Sequence, residues 1–236
     1  MQVDALILDC DGVLVDSEPI TNRVLTEMLH ELGLSFTLEQ TLRTFMGRSL
    51  RVELSIIEAL IGRPLPAGWY AGFAQRRDTA LAREVRAVPG VAEVIDALAA
   101  SGLPHAVASG ADRAKMRVTL GATGLLRRFE TDAAQAIAHA PGYATEAPPG
   151  SRLFGADMVE QPKPAPDVYL LAARSLGVAP ARCVVVEDTP TGTTAGVAAG
   201  MTVLGFCAHT EPRDLLAAGA SAVFDDMRRL PALIAR

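Results

Sequence analysis

From Pro89 onward the chain alternates short apolar runs with helical patterns, and this alternation constrains the fold more than any other feature. Helices are expected over residues 91–100 closed by Gly102, 113–120 closed by Gly121, 166–176 closed by Gly177, 193–199 closed by Gly200, and 213–218, with a last helix at the end. Between them, residues 105–109, 183–186, 201–206 and 222–224 read as short buried strands. Parallel neighbours can be joined only through a crossover, so strands separated by helices imply a parallel sheet covered on both faces. With a further apolar run at residues 5–8, the expected fold is a doubly wound, Rossmann-like α/β sheet.

Residues 17–86 interrupt the alternation. Ser17 and Pro19 start a helix whose apolar stripe, Ile20, Val24, Leu25, Met28, Leu29 and Leu32, ends at Gly33. Thr37 with Gln40 fits a capping box, Ser49 starts a third helix carrying Leu50, Leu54, Ile57 and Leu60, and a fourth is expected over 67–85. A strandless run of about seventy residues exceeds an ordinary crossover. The expected organisation is therefore a core of residues 1–16 and 87–236 with an inserted helical unit, 17–86. Residues 131–151, rich in Ala, Pro and Gly and including His139 and Tyr143, are expected to form a surface loop.

A 50% apolar composition over 236 residues supports a sizeable buried core. The net charge of −5 gives no attraction for a phosphate backbone, which argues against nucleic acid as a partner. No apolar run approaches the length of a membrane span, and Asp4 interrupts the place of a signal peptide, so no membrane association is expected. Cys10, Cys183 and Cys207 are odd in number and irregularly spaced, as for reduced thiols of a cytoplasmic protein.

In doubly wound sheets, ligands bind beyond the carboxyl ends of the strands. Residues 5–8 are followed by Asp9, Asp11 and Gly12; residues 105–108 by Ser109 and Gly110; residues 184–186 by Glu187 and Asp188. If the chain stays extended to Asp11, both early carboxylates face one point, a crowding relieved by a divalent cation or by protonation. An EF-hand is excluded, because counting from Asp9 the required glycine and glutamate positions fall elsewhere. Glu187 and Asp188 are adjacent and point to opposite sides, so at most one is expected to ligate a metal directly. Lys163 lies in P-K-P-A-P-D just before a helix. A hydroxyl, a lysine and clustered carboxylates at one crevice are what metal-assisted phosphoryl transfer uses.

Taken together, Asp9-Cys10-Asp11-Gly12-Val13-Leu14-Val15-Asp16-Ser17, Ser109, Lys163-Pro164-Ala165-Pro166-Asp167 and Glu187-Asp188-Thr189-Pro190-Thr191-Gly192 resemble, in order, the four motifs of the haloacid dehalogenase superfamily. The likeness is greatest to the sugar-phosphatase and β-phosphoglucomutase branch of its subfamily I, which has a small helical cap after the first motif. The resemblance implies that Asp9 attacks phosphorus to form an aspartyl phosphate and that Asp11 protonates the leaving group and then activates water. It further implies that Ser109 and Lys163 hold phosphoryl oxygens, and that Mg²⁺ sits on Asp9, the Asp11 backbone carbonyl and Asp188, with Glu187 close by. Gly47, Arg48 and Ser49 in the cap, with Gly110, are the implied substrate contacts. The implied function is a Mg²⁺-dependent phosphatase of a small phosphorylated metabolite, a sugar or sugar-acid phosphate, acting as a monomer or homodimer. A phosphomutase is the alternative, although Thr21 stands where the resembled mutases carry histidine. A dehalogenase and a phosphoaspartate signalling module are more distant readings.

Overall fold

The computed structural model describes residues 3–48, 50–132 and 150–235. Six parallel strands, β1 (Ala5–Leu8), β2 (His105–Ala108), β3 (Leu153–Phe154), β4 (Cys183–Glu187), β5 (Thr202–Phe206) and β6 (Ala222–Phe224), form one sheet in the order β3-β2-β1-β4-β5-β6. The chain winds outward from β1 through β2 to β3, then returns to place β4 on the other side of β1. That reversal puts a crevice at the carboxyl end of β1. Leu8 pairs with both Val107 and Val186, so the residues that follow β1, β2 and β4 emerge at the same sheet edge.

Before the second strand come α1 (Glu18–Glu31), α2 (Leu38–Phe45), α3 (Leu50–Ile61) and α4 (Trp69–Glu84). After them the chain forms α5 (Val91–Ser101), α6 (Arg113–Ala122), α7 (Asp167–Leu176), α8 (Pro190–Ala198), α9 (Pro212–Ala217) and α10 (Leu230–Ile234). The period of two along the strands divides the core into two layers. Leu6, Leu8, Val107, Val184 and Val186 pack with Val94, Ile95, Met116 and Leu120 of α5 and α6. Ile7, Ala106, Ala108, Val185 and Val203 pack with Val168, Tyr169, Ala172 and Ala195 of α7 and α8. Both faces of β1, β2 and β4 are thus buried, which is why these strands read as continuous apolar runs rather than alternating ones.

The first four helices gather a third apolar cluster, with Val24, Leu25, Met28 and Leu29 from α1 against Phe45, Ile57 and Phe73. Thr37 and Gln40 form the expected capping box: the Gln40 amide donates to Thr37 Oγ1 at 3.2 Å and the Thr37 amide to Gln40 Oε1 at 2.8 Å. Within the chain α4 packs against both α1 and α6, so the inserted helices stand over the crevice end of the sheet.

Three details differ from expectation. Helix α6 passes through Gly121 and stops before Gly124, whose φ of 74° is the left-handed turn that ends it; glycine inside a helix costs only about 1 kcal/mol and does not by itself terminate one. Helix α8 starts at Pro190, not Thr193, because Thr189 Oγ1 accepts from the Gly192 amide at 3.1 Å and caps it. Strand β3 was not expected, since two residues are too short to show a period. Most of the expected loop, with His139 and Tyr143, lies outside the described residues; Glu130 and Ser151 at its ends are bridged to each other. Among the described residues no helix is long and apolar enough to cross a membrane.

Candidate active site

The β1–β4 ladder continues one residue past Leu8, because the Asp9 amide donates to the Val186 carbonyl at 2.9 Å. This fixes Asp9 at the mouth of the sheet, where its carboxylate meets Lys163. Lys163 Nζ lies 2.6 Å from Asp9 Oδ1, 2.6 Å from Glu187 Oε1, 2.8 Å from the Tyr169 hydroxyl and 3.0 Å from the Ala108 carbonyl. An ammonium has three hydrogens, so it meets one more acceptor than it can serve. The side chains of Lys163, Asp9 and Glu187 are 7%, 8% and 1% exposed, so these charges act with little solvent screening.

Tyr169, in the first turn of α7, donates to Glu187 Oε1 at 2.8 Å and places its ring centre 4.5 Å from Lys163 Nζ. The other Glu187 oxygen accepts from the Asp188 amide, the Thr189 amide and Thr189 Oγ1, each at 3.0 Å. Glu187 is therefore held at both oxygens. Asp188 presents the opposite case, because its buried Oδ1 has no partner among the described residues. Gly12, with φ of 77°, makes room for it: a Cβ there would fall 1.9 Å from Asp188 Oδ2.

Asp9, Glu187 and Asp188 each offer an oxygen within 4.8 Å of the other two. One ammonium bonds two of these three buried carboxylates, and the imbalance appears in their ionisation. Burial pushes Asp9 up to about 8, with Lys163 pulling the other way and Glu187 and Asp11 adding to the rise. Asp188 is also pushed up, by burial and then by the charges of Glu187 and Asp9. Glu187 goes down, because Lys163 and its other donors overcome the effect of burial. The orphaned Asp188 oxygen and the all-oxygen donor set fit a hard divalent cation such as Mg²⁺, which would supply the missing positive charge.

Asp11 does not join these three. The Leu14 and Val15 amides both donate to the Cys10 carbonyl, at 2.9 and 3.1 Å, so the chain turns directly after Asp9 and the extended geometry does not persist to Asp11. The Asp11 carboxylate instead accepts from Ser17 Oγ at one oxygen and from Lys115 Nζ at 2.9 Å at the other. Burial opposes ionisation of Asp11, but Lys115 and Ser17 hold its pKa below the usual value. The condition for both carboxylates to face one point, an extended chain as far as Asp11, is therefore not met, while Asp9 and Asp11 still line the same cavity.

That cavity, about 540 Å³, lies between the sheet edge and the inserted segment, lined there by residues of α1, α3 and α4. Ser109 and Gly110 line it; Ser109 Oγ accepts from the Ala111 amide at 3.1 Å. Gly47 and Arg48 line it from the other side, and Thr191 Oγ1 donates to the Gly47 carbonyl at 3.0 Å, tying the turn before α3 to the start of α8. Ser49 lies outside the described residues.

Sequence reasoning missed Lys115 and Tyr169. Lys115 sits in the first turn of α6, positioned by the Asp112 cap, whose Oδ1 accepts from the Lys115 amide at 2.7 Å. Its place in a helix that opens just beyond a strand end was the available signal. Tyr169 was hidden as one more large residue on a core-facing helix, where a hydroxyl needs a partner.

Comparison with known proteins gives a consistent picture. A family model described as haloacid dehalogenase-like hydrolase matches residues 3–200. The chain is 28% identical to 6-phosphogluconate phosphatase of Escherichia coli K12, over 89% of this chain and 86% of that protein. It is 32% identical to protein CbbY of Rhodobacter capsulatus, over 86% and 85% of the two chains. Among solved structures, a HAD family hydrolase from Deinococcus radiodurans R1, with bound phosphate and sodium, superposes with a TM-score of 0.74 at 31% identity, covering 99% of this chain and 96% of that one.

Proposed function

The chain belongs to the haloacid dehalogenase-like hydrolases, and from that premise we propose that it is a divalent-cation-dependent phosphatase of a sugar phosphate, working through an aspartyl phosphate. The observation that carries this reading is the placement of Asp9 at the strand end, ion-paired to Lys163 at 2.6 Å and grouped with Asp188, whose buried oxygen lacks a partner. The names of relatives support the substrate class: besides 6-phosphogluconate phosphatase they include fructose-1-phosphate phosphatase YqaB and hexitol phosphatase A, both of Escherichia coli K12.

In this mechanism an Asp9 oxygen attacks phosphorus, forming the Asp9–phosphorus bond as the bond to the leaving oxygen breaks. Asp11, released from Lys115 and protonated, gives that proton to the leaving oxygen, then as a carboxylate takes one from the water that hydrolyses the aspartyl phosphate and frees inorganic phosphate. Lys163 holds Asp9 in place and exchanges one of its four partners for a phosphoryl oxygen, while Ser109 and Gly110 face the same group. Asp9 and Asp188 would hold Mg²⁺, with Glu187 orienting Lys163 and the neighbouring backbone; the ion supplies charge neutralisation for the transferring group. The inserted helices serve as a cap that excludes water during transfer.

Removal of divalent cations tests this directly. Phosphate release from p-nitrophenyl phosphate should fall to background in EDTA and return on addition of excess Mg²⁺; activity that survives chelation would refute the metal requirement. A second test addresses Tyr169. Tyr169→Phe removes one hydroxyl from the Lys163–Glu187 contact, keeps the ring, and should lower kcat about tenfold, equivalent to ~1.4 kcal/mol. Its cost in stability should be about 1 kcal/mol in urea unfolding. Wild-type kcat in that variant would mean that the hydroxyl only fills space.

A further inference from the structure

Ser109 and Lys163 reach the cavity from two separate loops. Ser109, Gly110 and Ala111 follow β2, whereas Lys163 closes the segment that follows β3, and residues of both loops line the cavity. The β2–β3 ladder carries on beyond the strand ends and joins them: the Ser109 amide donates to the Phe154 carbonyl at 2.9 Å, and the Ala156 amide to the Ala111 carbonyl at 2.9 Å. One step further a side chain takes over. Asp157 Oδ1 accepts from the Arg113 amide at 3.0 Å, and its Oδ2 accepts from Arg113 Nε at 2.8 Å. A carboxylate that uses one oxygen on the backbone and the other on the guanidinium of the same residue fixes both the place and the orientation of that residue. The Arg113 side chain is buried, so this pair sits between the loops and is not an ordinary surface bridge.

Gly155 shows how closely the two loops approach. Its φ of −114° is open to any residue, so the position needs glycine for space rather than for conformation. A Cβ there would fall 2.9 Å from both the Ala111 carbonyl oxygen and the Arg113 amide nitrogen, and would run into Asp157 Oδ1. The first two are backbone atoms, which cannot swing aside. From this contact to Lys163 the chain has little slack: the Met158 amide donates to the Gly155 carbonyl at 3.0 Å, Pro162 and Pro164 flank the lysine, and the Ala165 amide donates to the Pro162 carbonyl at 3.1 Å. A displacement at residues 155–157 is therefore passed on to Lys163.

We propose that Arg113 and Asp157, with Gly155 as the spacer between them, are positioning residues that set the gap between Ser109 and Lys163, and with it the width of the cradle for the transferring phosphoryl group. This rests on the phosphatase reading above and adds to it three residues outside the motifs that carry that reading. Misplacement of reacting groups by about 1 Å costs on the order of 10²-fold in rate, so a clamp of this kind acts on catalysis without touching the substrate's leaving group.

The test compares wild type, Asp157→Ala, Asp157→Asn and Gly155→Ala in Mg²⁺ on p-nitrophenyl phosphate and on a hexitol 6-phosphate, with inhibition by orthovanadate as the probe of the cradle and urea midpoints as the measure of folding. Vanadate adopts the five-coordinate shape of a transferring phosphoryl group and brings no leaving group, so its Ki reads the cradle alone. Asp157→Ala and Gly155→Ala should each lower kcat/KM by about tenfold or more, by the same factor on both substrates, and raise the vanadate Ki by about that factor. Asp157→Asn keeps one acceptor for Arg113 and should lose less. Gly155→Ala leaves both charges in place, so it decides the matter if Asp157→Ala does not fold. A vanadate Ki at the wild-type value in the folded variants would overturn the proposal and leave the pair a role in stability only; a loss confined to the hexitol phosphate would overturn it by making Asp157 a leaving-group contact. Wild type that releases phosphate from neither substrate would instead overturn the phosphatase reading, and the clamp with it.

Discussion

Asp9→Asn should abolish turnover, lowering kcat by about 10⁴-fold or more, because the amide cannot form the bond to phosphorus on which the second half of the reaction depends. The same variant should be more stable than wild type when no divalent cation is present. Asp9 has its folded pKa raised to about 8, so across the range from its unfolded value to about 8 the folded protein binds more protons than the unfolded chain. Stability must then fall as pH rises through that window. Asparagine carries no such proton, and the slope contributed by position 9 should vanish. Urea midpoints measured in EDTA between pH 5 and 8 decide the matter: a wild-type slope that persists unchanged in Asp9→Asn would show that the three carboxylates do not share one unbalanced charge.

Lys163→Met should be damaging in a different way. Methionine approximates the length of the lysine stem but removes the ammonium bonded to both Asp9 and Glu187, leaving buried carboxylates uncompensated. Breaking a buried pair from one side typically costs about 3–5 kcal/mol. The sign follows from the lysine itself: burial lowers its pKa, but Asp9 and Glu187 raise it further, so its stabilisation is present throughout the neutral range and is lost only in strong alkali. The expected result at pH 7 is a lower urea midpoint together with a fall in kcat of about 10³-fold, since Asp9 loses the group that holds it for attack. An unchanged midpoint would contradict the role of Lys163 as counterion to the cluster.

The parts of this site legible in the sequence are those whose position follows from the backbone alone. Asp9, Ser109 and Glu187 could be placed because each directly follows or ends an apolar run, and parallel strands in register bring such residues to one edge. The capping box at Thr37 was legible for the same reason, being local. The conformation of Asp11 was not, because the turn at Cys10 depends on hydrogen bonds that a strand pattern does not specify. Lys115 and Tyr169 sit on two different helices, and their roles arise only once packing has brought α6 against Asp11 and α7 against Lys163 and Glu187. Strand β3 illustrates the converse limit: Leu153 and Phe154 become a strand through pairing with Val107 and Ala108, with almost no intrinsic pattern of their own.

The surplus of acceptors around Lys163 has a consequence for how a turnover ends. The ammonium already has Asp9, Glu187, Tyr169 and Ala108 within 3.0 Å, so any oxygen of inorganic phosphate that bonds to it displaces a partner of similar quality. Arrival and departure at this residue are both substitutions, with little net gain for the guest. On the proposed mechanism the released phosphate would therefore be held lightly at this residue, and the displaced partner would return to the ammonium as it leaves.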